Sequence, residues 1–356
     1  MPTTEGYGHI ARAKAIISEL ERRGIPYGVL TDRKGETFLR NNAVHVEVDS
    51  TFHGISYCFK KNGNEKSLDP LMTVGKLLID TPQYFLDYLK VVKHVLEDGY
   101  DVIVNDVNLQ ITRVPVVNVM NVLHCTLPQT RDDIRRVFGG LQSIFYEGLI
   151  EPAINASSIL TDRFCMDLRK HRIDYQNTFP PIVSKVTKPV AQVRRELGLR
   201  ANDKLVVDGR KNPPLRLYTR MGNEYVGLKF LVRSSLEVSE HVRSMSFIPN
   251  MIDYIAAADL FVTSSGFSSL SEGAISGTRM LIDPPEFHFE GLKNLAIAEG
   301  EDYGRRVTCL REDILREVDD RRRPIASLEN GLPYVIRMLD HLSSQRPLLQ
   351  TLIRNA

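Results

Sequence analysis

The sequence predicts an α/β protein, and two patterns together with the chain length carry this prediction. Short apolar runs alternate with amphipathic stretches along the 356 residues, as expected for successive βαβ units. Some of these runs, such as Ala-Asp-Leu-Phe-Val-Thr at 258–263, are almost continuously apolar. Such runs are typical of strands buried on both faces of a parallel sheet. At roughly 150 residues per domain, the length indicates about two domains.

Seven strands and four helices follow from this alternation. The predicted strands are Pro26–Thr31, Asp101–Asn105, Val114–Val119, Ser158–Leu160, Lys204–Val207, Asp259–Thr263 and Arg279–Ile282. The predicted helices are Ala11–Arg23, Pro82–Glu97, Val190–Leu197 and Ser268–Ile275. The order of these elements predicts parallel sheets with crossover helices.

A domain joint is expected near residues 176–190. The segment QNTFPPIVSKVTKP contains three prolines and precedes a new helix and strand. Proline removes a backbone donor and favours extended linkers. We therefore predict a first domain over 1–180 and a second over 181–356, with the final helices free to cross back to the first.

Composition and charge restrict the class of protein. A hydrophobic content of 42% excludes a disordered or fibrous chain. With 46 basic and 44 acidic side chains, there is no charge excess to indicate nucleic-acid binding. Residues 1–180 carry 21 basic and 22 acidic side chains, whereas 181–356 carry 25 and 22, so an anionic ligand is expected on the second half.

No targeting or metal-binding signal is found in the sequence. The start, MPTTEGYGHIAR, lacks the pattern of a signal peptide, and no run reaches the ~18 apolar residues of a membrane span. We expect a cytoplasmic protein without a metal site, for which peripheral membrane contact through one apolar face stays open. Four scattered cysteines are expected to be reduced and mostly buried: Cys58, Cys125, Cys165 and Cys309.

A glycine-rich segment near the start leads into the first predicted helix. Gly6 and Gly8 allow a tight turn and close approach of a ligand, and His9 follows them. The N-terminus of the next helix would present unpaired N–H groups to an anion. A plain turn with a capping histidine is the alternative interpretation. A strand normally precedes such a loop, yet only five residues stand before Gly6, and Pro2 cannot donate to a central strand ladder. Either this strand is very short or, as we expect, the natural protein has a strand ahead of Pro2.

A second segment joins a buried strand to a helix through small residues. Ser264, Ser265 and Gly266 form the turn, and the helix is expected to begin at Ser268 or Ser269. Hydroxyl and N–H groups at such a helix start can hold a diphosphate. The carboxylate of Glu272, near the helix start, could accept hydrogen bonds from ribose hydroxyls. Equally, the serines and Glu272 could form only a capping arrangement.

Polar residues also follow two predicted strands of the first domain. Asp106 ends the run Asp-Val-Ile-Val-Asn-Asp, and His124 lies just beyond the next strand. Ligands of open α/β sheets bind beyond the carboxyl ends of strands, which makes both residues candidates for acid–base chemistry. A partly buried histidine with ordinary hydrogen bonds is the alternative for His124.

The segment 261–294 resembles the donor-binding signature of GT-B glycosyltransferases. It is similar to that of the MurG-type (family 28) enzymes and of the UDP-glucuronosyl and plant UDP-glycosyltransferases. The matching positions are Gly266, Ser269, Glu272, Gly277, Pro284, Glu290 and Asn294. The first segment resembles the GxGHxxR loop of these families through Gly6, Gly8, His9 and Arg12, and Asp106 resembles their strand-end aspartate.

This resemblance implies two Rossmann-like, doubly wound parallel-sheet domains that face each other across a cleft. It implies His9 as the general base, with Asp106 and His124 as secondary candidates. The implied donor-binding residues are Gly8, Arg210, Ser264, Ser265, Gly266, Ser268, Ser269, Glu272, Glu290 and Asn294.

Two positions depart from the family pattern. Ser264 stands where these enzymes carry a histidine or basic residue, a role that Arg210 could take over. Gly291 stands where they carry a glutamine that contacts the sugar.

The function that the resemblance implies is transfer of a hexosyl or N-acetylhexosaminyl group from a nucleotide diphosphate sugar, with a UDP-sugar expected. The reaction would be metal-independent and inverting, with no cofactor besides the donor, and its acceptor would be a lipid-linked molecule or a glycan. Two alternatives stay open: a nucleotide-sugar epimerase or hydrolase of the same fold, and a non-catalytic nucleotide-sugar-binding partner subunit. The sequence does not predict the oligomeric state.

Overall fold

The computed structural model describes most of the second half of the chain and selected parts of the first. The described residues are 7–31, 33–41, 48–49, 59–62, 65–68, 102–106, 116–120, 161–162, 178–235, 239–245, 248, 250–284, 289–319 and 328–344. The chain divides into two compact units. The first combines Met1–Val183 with Asn330–Ala356, and the second is Ser184–Glu329.

The first unit contains short strands that pair mainly in parallel. Near the start of the chain it has the helices α1 (Tyr7–Arg23) and α2 (Arg33–Asn41). Its strands are β1 (Val29–Leu30), β2 (Val48–Asp49), β3 (Phe59–Asn62), β4 (Glu65–Leu68), β5 (Ile103–Asp106), β6 (Val116–Met120), β7 (Thr161–Asp162) and β8 (Thr178–Phe179). The pairs β1–β2, β5–β6 and β7–β8 are parallel. The pair β3–β4 is antiparallel.

Several boundaries of the first unit differ from the predicted ones. Helix α1 begins at Tyr7 rather than Ala11. The predicted strand Ser158–Leu160 lies outside the described residues, and a strand is described directly after it at Thr161–Asp162. The hairpin of β3 and β4 was not predicted, although Gly63-Asn64, the two residues between the paired Asn62 and Glu65, are a sequence signal for a two-residue hairpin loop. Boundaries differ because the pairing partner, rather than local propensity, decides where a strand begins and ends. The predicted helix Pro82–Glu97 lies outside the described residues.

The second unit is a six-stranded parallel sheet with helices between its strands. The helices are α3 (Val190–Glu196), α4 (Leu215–Glu224), α5 (Met251–Ala257), α6 (Phe267–Ile275), α7 (Phe289–Gly300) and α8 (Leu310–Asp319). The strands are β9 (Lys204–Asp208), β10 (Leu228–Arg233), β11 (Val242–Met245), β12 (Leu260–Thr263), β13 (Met280–Ile282) and β14 (Gly304–Arg306). Their order is β11-β10-β9-β12-β13-β14, and every neighbouring pair is parallel.

This strand order is that of doubly wound nucleotide-binding sheets, in which the first and fourth strands lie side by side. In register, Val206 of β9 lies opposite Phe230 of β10 and Leu260 of β12. All three side chains are buried in one apolar cluster. The continuously apolar strands of the sequence therefore form the centre of this sheet, as predicted.

The segment that enters the second unit is attached to α5 by a buried carboxylate. Asp253 accepts hydrogen bonds from the backbone N–H of Thr187 (2.6 Å), the Thr187 hydroxyl (2.7 Å) and the N–H of Lys188 (3.2 Å). Burial acts to raise the pKa of Asp253, but hydrogen bonds from Thr187 and Asn250 outweigh it and hold the pKa below its usual range.

The chain returns to the first unit through helix α9 (Leu332–Ser344). Asn330 Nδ2 donates a hydrogen bond to the carbonyl of Val183 (2.8 Å), and the N–H of Gly331 donates one to the carbonyl of Pro181 (2.8 Å). Apolar side chains of α9 then pack on α1, including Ile16, Leu20, Val335 and Ile336. Residues 330–356 thus group with 1–183, whereas the sequence analysis placed them in the second domain and left their return open.

Candidate functional site

The site is built where the strand order of the second sheet reverses. Strands β9 and β12 are neighbours, and their connections lead to opposite sides of the sheet. Open α/β sheets bind ligands beyond the carboxyl ends of strands at such a switch point. The carboxyl ends of three strands meet at this edge. Residues 209–210 follow β9, residues 264–266 follow β12 and residues 283–284 follow β13.

The turn after β12 delivers an uncapped helix N-terminus to this edge. Gly266 is the N-cap of α6, with φ −67° and ψ 131°, and makes no side-chain capping bond. Ser268 and Ser269 are the second and third residues of the helix, so the predicted start at these serines was one or two residues late. Neither serine therefore caps α6, and the role of the serines and Glu272 in donor binding stays a prediction. The first N–H groups of α6 lack helical acceptors, as at anion-binding helix starts.

Ser265 places a buried hydroxyl in the same turn. Its side chain is 2% exposed, and its Oγ has no hydrogen-bond partner among the described residues. Its carbonyl oxygen accepts a hydrogen bond from Asn294 Nδ2 (3.0 Å), and the carbonyl of Ser264 accepts one from Thr263 Oγ1 (2.9 Å). The turn is therefore held by its carbonyls while the Ser265 hydroxyl stays unpaired. A buried hydroxyl without a hydrogen-bond partner lowers the free energy of unfolding by about 1–3 kcal/mol unless a ligand binds it.

Glu272 lies in the second turn of α6, farther from the helix start than predicted. It is the sixth helical residue and is half-buried. Ser269 and Glu272 are three residues apart, so they share one face of the helix. At 1.5 Å per residue, Glu272 lies about 9 Å along the axis from Gly266. This spacing suits a group that contacts a different part of a ligand from the part held at the helix start.

A charged cluster follows β9, and sequence reasoning found only one of its members. Asp208 is fully buried and binds Arg210 through the backbone N–H (2.9 Å), Nε (3.1 Å) and Nη2 (2.7 Å). Tyr218 donates its hydroxyl to Asp208 (2.6 Å) and accepts from Arg210 Nη2 (3.0 Å). Burial is the main cause that raises the pKa of Tyr218 well above its ordinary value. The phenol is therefore a neutral donor that fixes Asp208.

Asp283 closes this cluster from the end of β13. Its carboxylate accepts a hydrogen bond from Arg210 Nη1 (2.6 Å) and is 48% exposed, whereas the Arg210 side chain is 12% exposed. Burial acts to lower the pKa of Arg210, but the hydrogen bonds and negative charge of its carboxylate partners, Asp208 above all, together outweigh it and raise the pKa above its usual value. Asp283 stands just after the strand Met-Leu-Ile, a position at which a strand-end carboxylate could have been noted.

Helix α7 contributes the remaining second-unit candidates. Glu290 is its second residue. Gly291 and Asn294 are buried, and Asn294 positions the turn through the carbonyl of Ser265. The contacts of Glu290 and Asn294 with a sugar stay predictions.

The first-unit candidates are placed at backbone level only. Gly8 and His9 lie in the first turn of α1, rather than in a loop that precedes it. Asp106 is the last residue of β5, opposite Met120 beyond a register shift. Arg12 is buried on α1, whereas Gly6 and His124 lie outside the described residues. The catalytic roles of His9, Asp106 and His124 stay predictions.

Three further expectations concern membrane spans, metal sites and the cysteines. None of the helices described is both long and apolar enough to cross a membrane. In the same parts of the chain, no three or more His, Cys, Asp or Glu side chains come together as a possible metal site. Cys309 is exposed rather than buried, and its thiol donates to Glu312.

Solved structures with this architecture are GT-B glycosyltransferases. The glycotransferase of kitacinnamycin matches 98% of this chain and 96% of its own at 14% identity, with a TM-score of 0.58. The spinosyn forosaminyltransferase SpnP matches 98% and 97% at 12% identity, with a TM-score of 0.56. The calicheamicin glycosyltransferase CalG4 matches 89% and 88% at 14% identity, with a TM-score of 0.53. At these identities the likeness shows the fold, and the predicted GT-B fold is confirmed.

Curated relatives are similar over shorter stretches. An uncharacterized glycosyltransferase of Methanosarcina mazei is 32% identical over 72 residues, which are 20% of this chain and 19% of the relative. One of Methanosarcina acetivorans is 27% identical over 124 residues, 32% of this chain and 30% of the relative. The chain thus spans less than a third of the length of the curated relatives it matches. No family model matches the chain. The predicted resemblance to GT-B glycosyltransferases is confirmed, while that to MurG-type enzymes in particular stays a prediction.

Proposed function

We propose that this protein is a glycosyltransferase whose second unit binds a nucleotide diphosphate sugar, with UDP as the nucleotide. The diphosphate would lie at the start of α6 and accept hydrogen bonds from the N–H groups that follow Gly266 and from the hydroxyls of Ser265 and Ser269. Glu272 would accept hydrogen bonds from the ribose. The sugar would then pass to a lipid-linked or glycan acceptor with inversion at its anomeric carbon.

The unpaired Ser265 hydroxyl beside the uncapped N-terminus of α6 is the observation that carries this proposal. Buried polar groups are almost always satisfied, and a diphosphate oxygen would satisfy this one. The helix terminus and hydroxyls could also stabilise negative charge on the diphosphate as it leaves, without a divalent cation. The glycosyltransferase relatives and structural neighbours support the same reaction class.

Isothermal titration calorimetry with UDP, GDP and dTDP tests the donor site. Of these three nucleotides, we expect UDP to be the one that binds, and to bind at a single site. Glu272→Ala should weaken its binding by about 1–3 kcal/mol, because a charged hydrogen bond to the ribose is lost. The matched control is Glu196→Ala, which removes an exposed glutamate of α3 and should leave the affinity within twofold. Absence of binding by all three nucleotides would refute the proposal.

The proposed base is His9, with Asp106 and His124 as the alternatives. An imidazole with its ordinary pKa is suited to accept the proton of an acceptor hydroxyl near neutral pH. His9→Ala should lower turnover about 100-fold or more and leave UDP affinity unchanged. The assay supplies a panel of UDP-sugars with lipid-linked and glycan acceptors and follows the sugar product, so that epimerisation or hydrolysis is seen as well. Unchanged turnover would assign the base to Asp106 or His124.

A further inference from the structure

Arg210 reaches across the end of strand β12 between two carboxylates. Asp208 ends β9, and Asp283 follows β13, with β12 between the two strands. Neighbouring strands are about 4.8 Å apart, so the backbones of β9 and β13 are separated by roughly 10 Å, and the side chains of Asp208, Arg210 and Asp283 together bridge this distance. The flanking backbone is fixed on both sides, since Gly209 N–H donates to Val262 (2.9 Å) and Asp283 N–H to Thr263 (2.8 Å). Arg210 therefore lies over the strand whose turn leads into α6.

The two carboxylates hold Arg210 differently. Asp208 is fully buried and also bound by Tyr218, and its bonds to Nε and Nη2 anchor the guanidinium. Among the described residues, the one hydrogen bond of the Asp283 carboxylate is that with Arg210 Nη1, and the Asp283 side chain is 48% exposed. An ion pair with a half-exposed carboxylate is weak and screened by salt, whereas the buried pair would be costly to break. Asp283 is thus the exchangeable partner of a guanidinium that is otherwise fixed.

The formal charges of this cluster oppose a diphosphate. Asp208 and Asp283 carry two negative charges against the single positive charge of Arg210, which leaves the cluster at −1. A diphosphate at the start of α6 would meet the Asp283 carboxylate close to the same guanidinium. Rotation of the exposed Asp283 side chain would remove this repulsion and release Nη1 to a phosphate oxygen.

We propose that Asp283 is a positioning and affinity-determining residue, which occupies Arg210 Nη1 in the empty site and yields it to a phosphate oxygen of the bound donor. Asp283 acts as an internal competitor, so that part of the binding energy of the diphosphate is used to displace it. The exchange concerns the phosphate groups alone, and a nucleoside without phosphate gains nothing from it. This inference rests on the proposed donor site.

Asp283→Asn tests the exchange directly. The amide keeps the shape and one acceptor oxygen, but it removes the negative charge that competes with the phosphate. We expect UDP to bind about five- to tenfold more tightly at low salt, and uridine to bind within twofold of its affinity for the wild type. The gain should shrink at high salt, since the effect is electrostatic and partly exposed.

Two further variants isolate the role of Arg210 and of net charge. Asp319→Asn makes the same charge change at an exposed position on the last residue of α8 and should leave UDP affinity unchanged. In an Arg210→Lys background, the gain from Asp283→Asn should disappear, because a lysine cannot bind Asp208 and a phosphate in the same fork geometry. Circular dichroism and thermal unfolding check that each variant is folded.

Each outcome decides the inference. Tighter UDP binding by Asp283→Asn, with Asp319→Asn unchanged, supports it. Equal or weaker UDP binding by Asp283→Asn, or an equal gain in Asp319→Asn, overturns it and leaves the proposed donor site in place. If neither the wild type nor Asp283→Asn binds UDP, GDP or dTDP, both the inference and the proposed function fail.

Discussion

The hydroxyl of Ser265 destabilises the fold unless a ligand binds it. It is buried without a hydrogen-bond partner in the described part of the chain, although its backbone carbonyl is used by Asn294. Ser271, in the helix α6 that follows this turn, offers the contrasting case, because its buried hydroxyl donates to the carbonyl of Phe267 (2.8 Å). These two serines differ in whether the protein itself satisfies the side chain.

Ser265→Ala and Ser271→Ala are therefore expected to behave in opposite ways. Ser265→Ala should leave the free energy of unfolding unchanged or raise it by about 1–2 kcal/mol, and weaken UDP binding about tenfold, since it removes an unpaired donor that the ligand uses. Ser271→Ala should lower the free energy of unfolding by about 0.5–1.5 kcal/mol and leave UDP affinity within twofold. Urea denaturation and calorimetry measure both quantities. A loss of stability in Ser265→Ala without loss of affinity would show that the hydroxyl is structural.

The role of single residues was only partly predictable from the sequence. The turn 264–266 was predicted as a ligand-binding turn because small residues between a strand and a helix define such a turn locally. The partners of Arg210 were not predicted, because Asp283 is 73 residues away in the sequence. Only the sheet order brings the ends of β9 and β13 to the same edge.

At the scale of elements, the glycine at the N-cap of α6 and the glycine inside this helix have different surroundings. A Cβ on Gly266 would meet only Ser264 Oγ at 4.0 Å, and the φ of −67° suits any residue. A Cβ on Gly273 would lie 2.3 Å from Met280 Sδ and 2.9 Å from its Cγ, in a fully buried contact with β13. Gly273 therefore allows α6 to pack on the sheet, whereas Gly266 leaves space at the helix start.

Alanine at these two glycines separates the ligand-binding end of α6 from its packing face. Gly266→Ala should change the free energy of unfolding by less than about 1 kcal/mol, because a poorer N-cap and a less flexible unfolded chain offset each other. It should also weaken UDP binding, since the methyl group occupies the space in front of the helix. Gly273→Ala should lower the free energy of unfolding by about 1–3 kcal/mol through overpacking. Thermal denaturation with and without UDP measures both effects, and unchanged UDP affinity in Gly266→Ala would contradict the assigned site.

Element boundaries show where local patterns suffice. The strand Leu260–Thr263 lies inside its predicted span because its apolar run has no competing interpretation. Helix α6 began a residue earlier than predicted because Gly266, rather than a serine, takes the N-cap position. Helix α1 began four residues earlier because Tyr7 and Gly8 already have helical geometry, although glycine is a poor helix former.

At the scale of the whole molecule, the chain forms two units whose cores are built from different parts of the sequence. The core of the second unit is continuous in sequence and includes Ile314 of α8. That of the first unit joins Ile16 and Leu20 of α1 to Ile336 of α9, more than 300 residues later. Helix α9 is thus required for the stability of the first unit.

Truncation of one core isoleucine in each unit tests this division. Ile336 and Ile314 are both fully buried, and replacement of either by alanine should cost about 2–5 kcal/mol. We expect Ile336→Ala to lower the melting temperature of a transition assigned to the first unit, and Ile314→Ala to lower that of the second. Scanning calorimetry of both variants, with UDP added to raise only the second-unit transition, makes the assignment. If Ile336→Ala shifted only the UDP-sensitive transition, the assignment of Ile336 to the core of the first unit would be contradicted.

Local sequence patterns were sufficient for the α/β class, the parallel strands of the second unit and the turn at the start of α6, because periodicity, apolar runs and small residues act over a few positions. Tertiary structure decided three other features: the return of 330–356 to the first unit, the unpaired state of the Ser265 hydroxyl, and the pairing of Arg210 with both Asp208 and Asp283. These features depend on contacts between residues far apart in the chain, which arise only once the strand order of the sheet is set. In the proposed donor site, the turn before α6 is therefore recognisable from the sequence. The pairing of Arg210 with two carboxylates, which sets the charge of the site, arises only in the folded sheet.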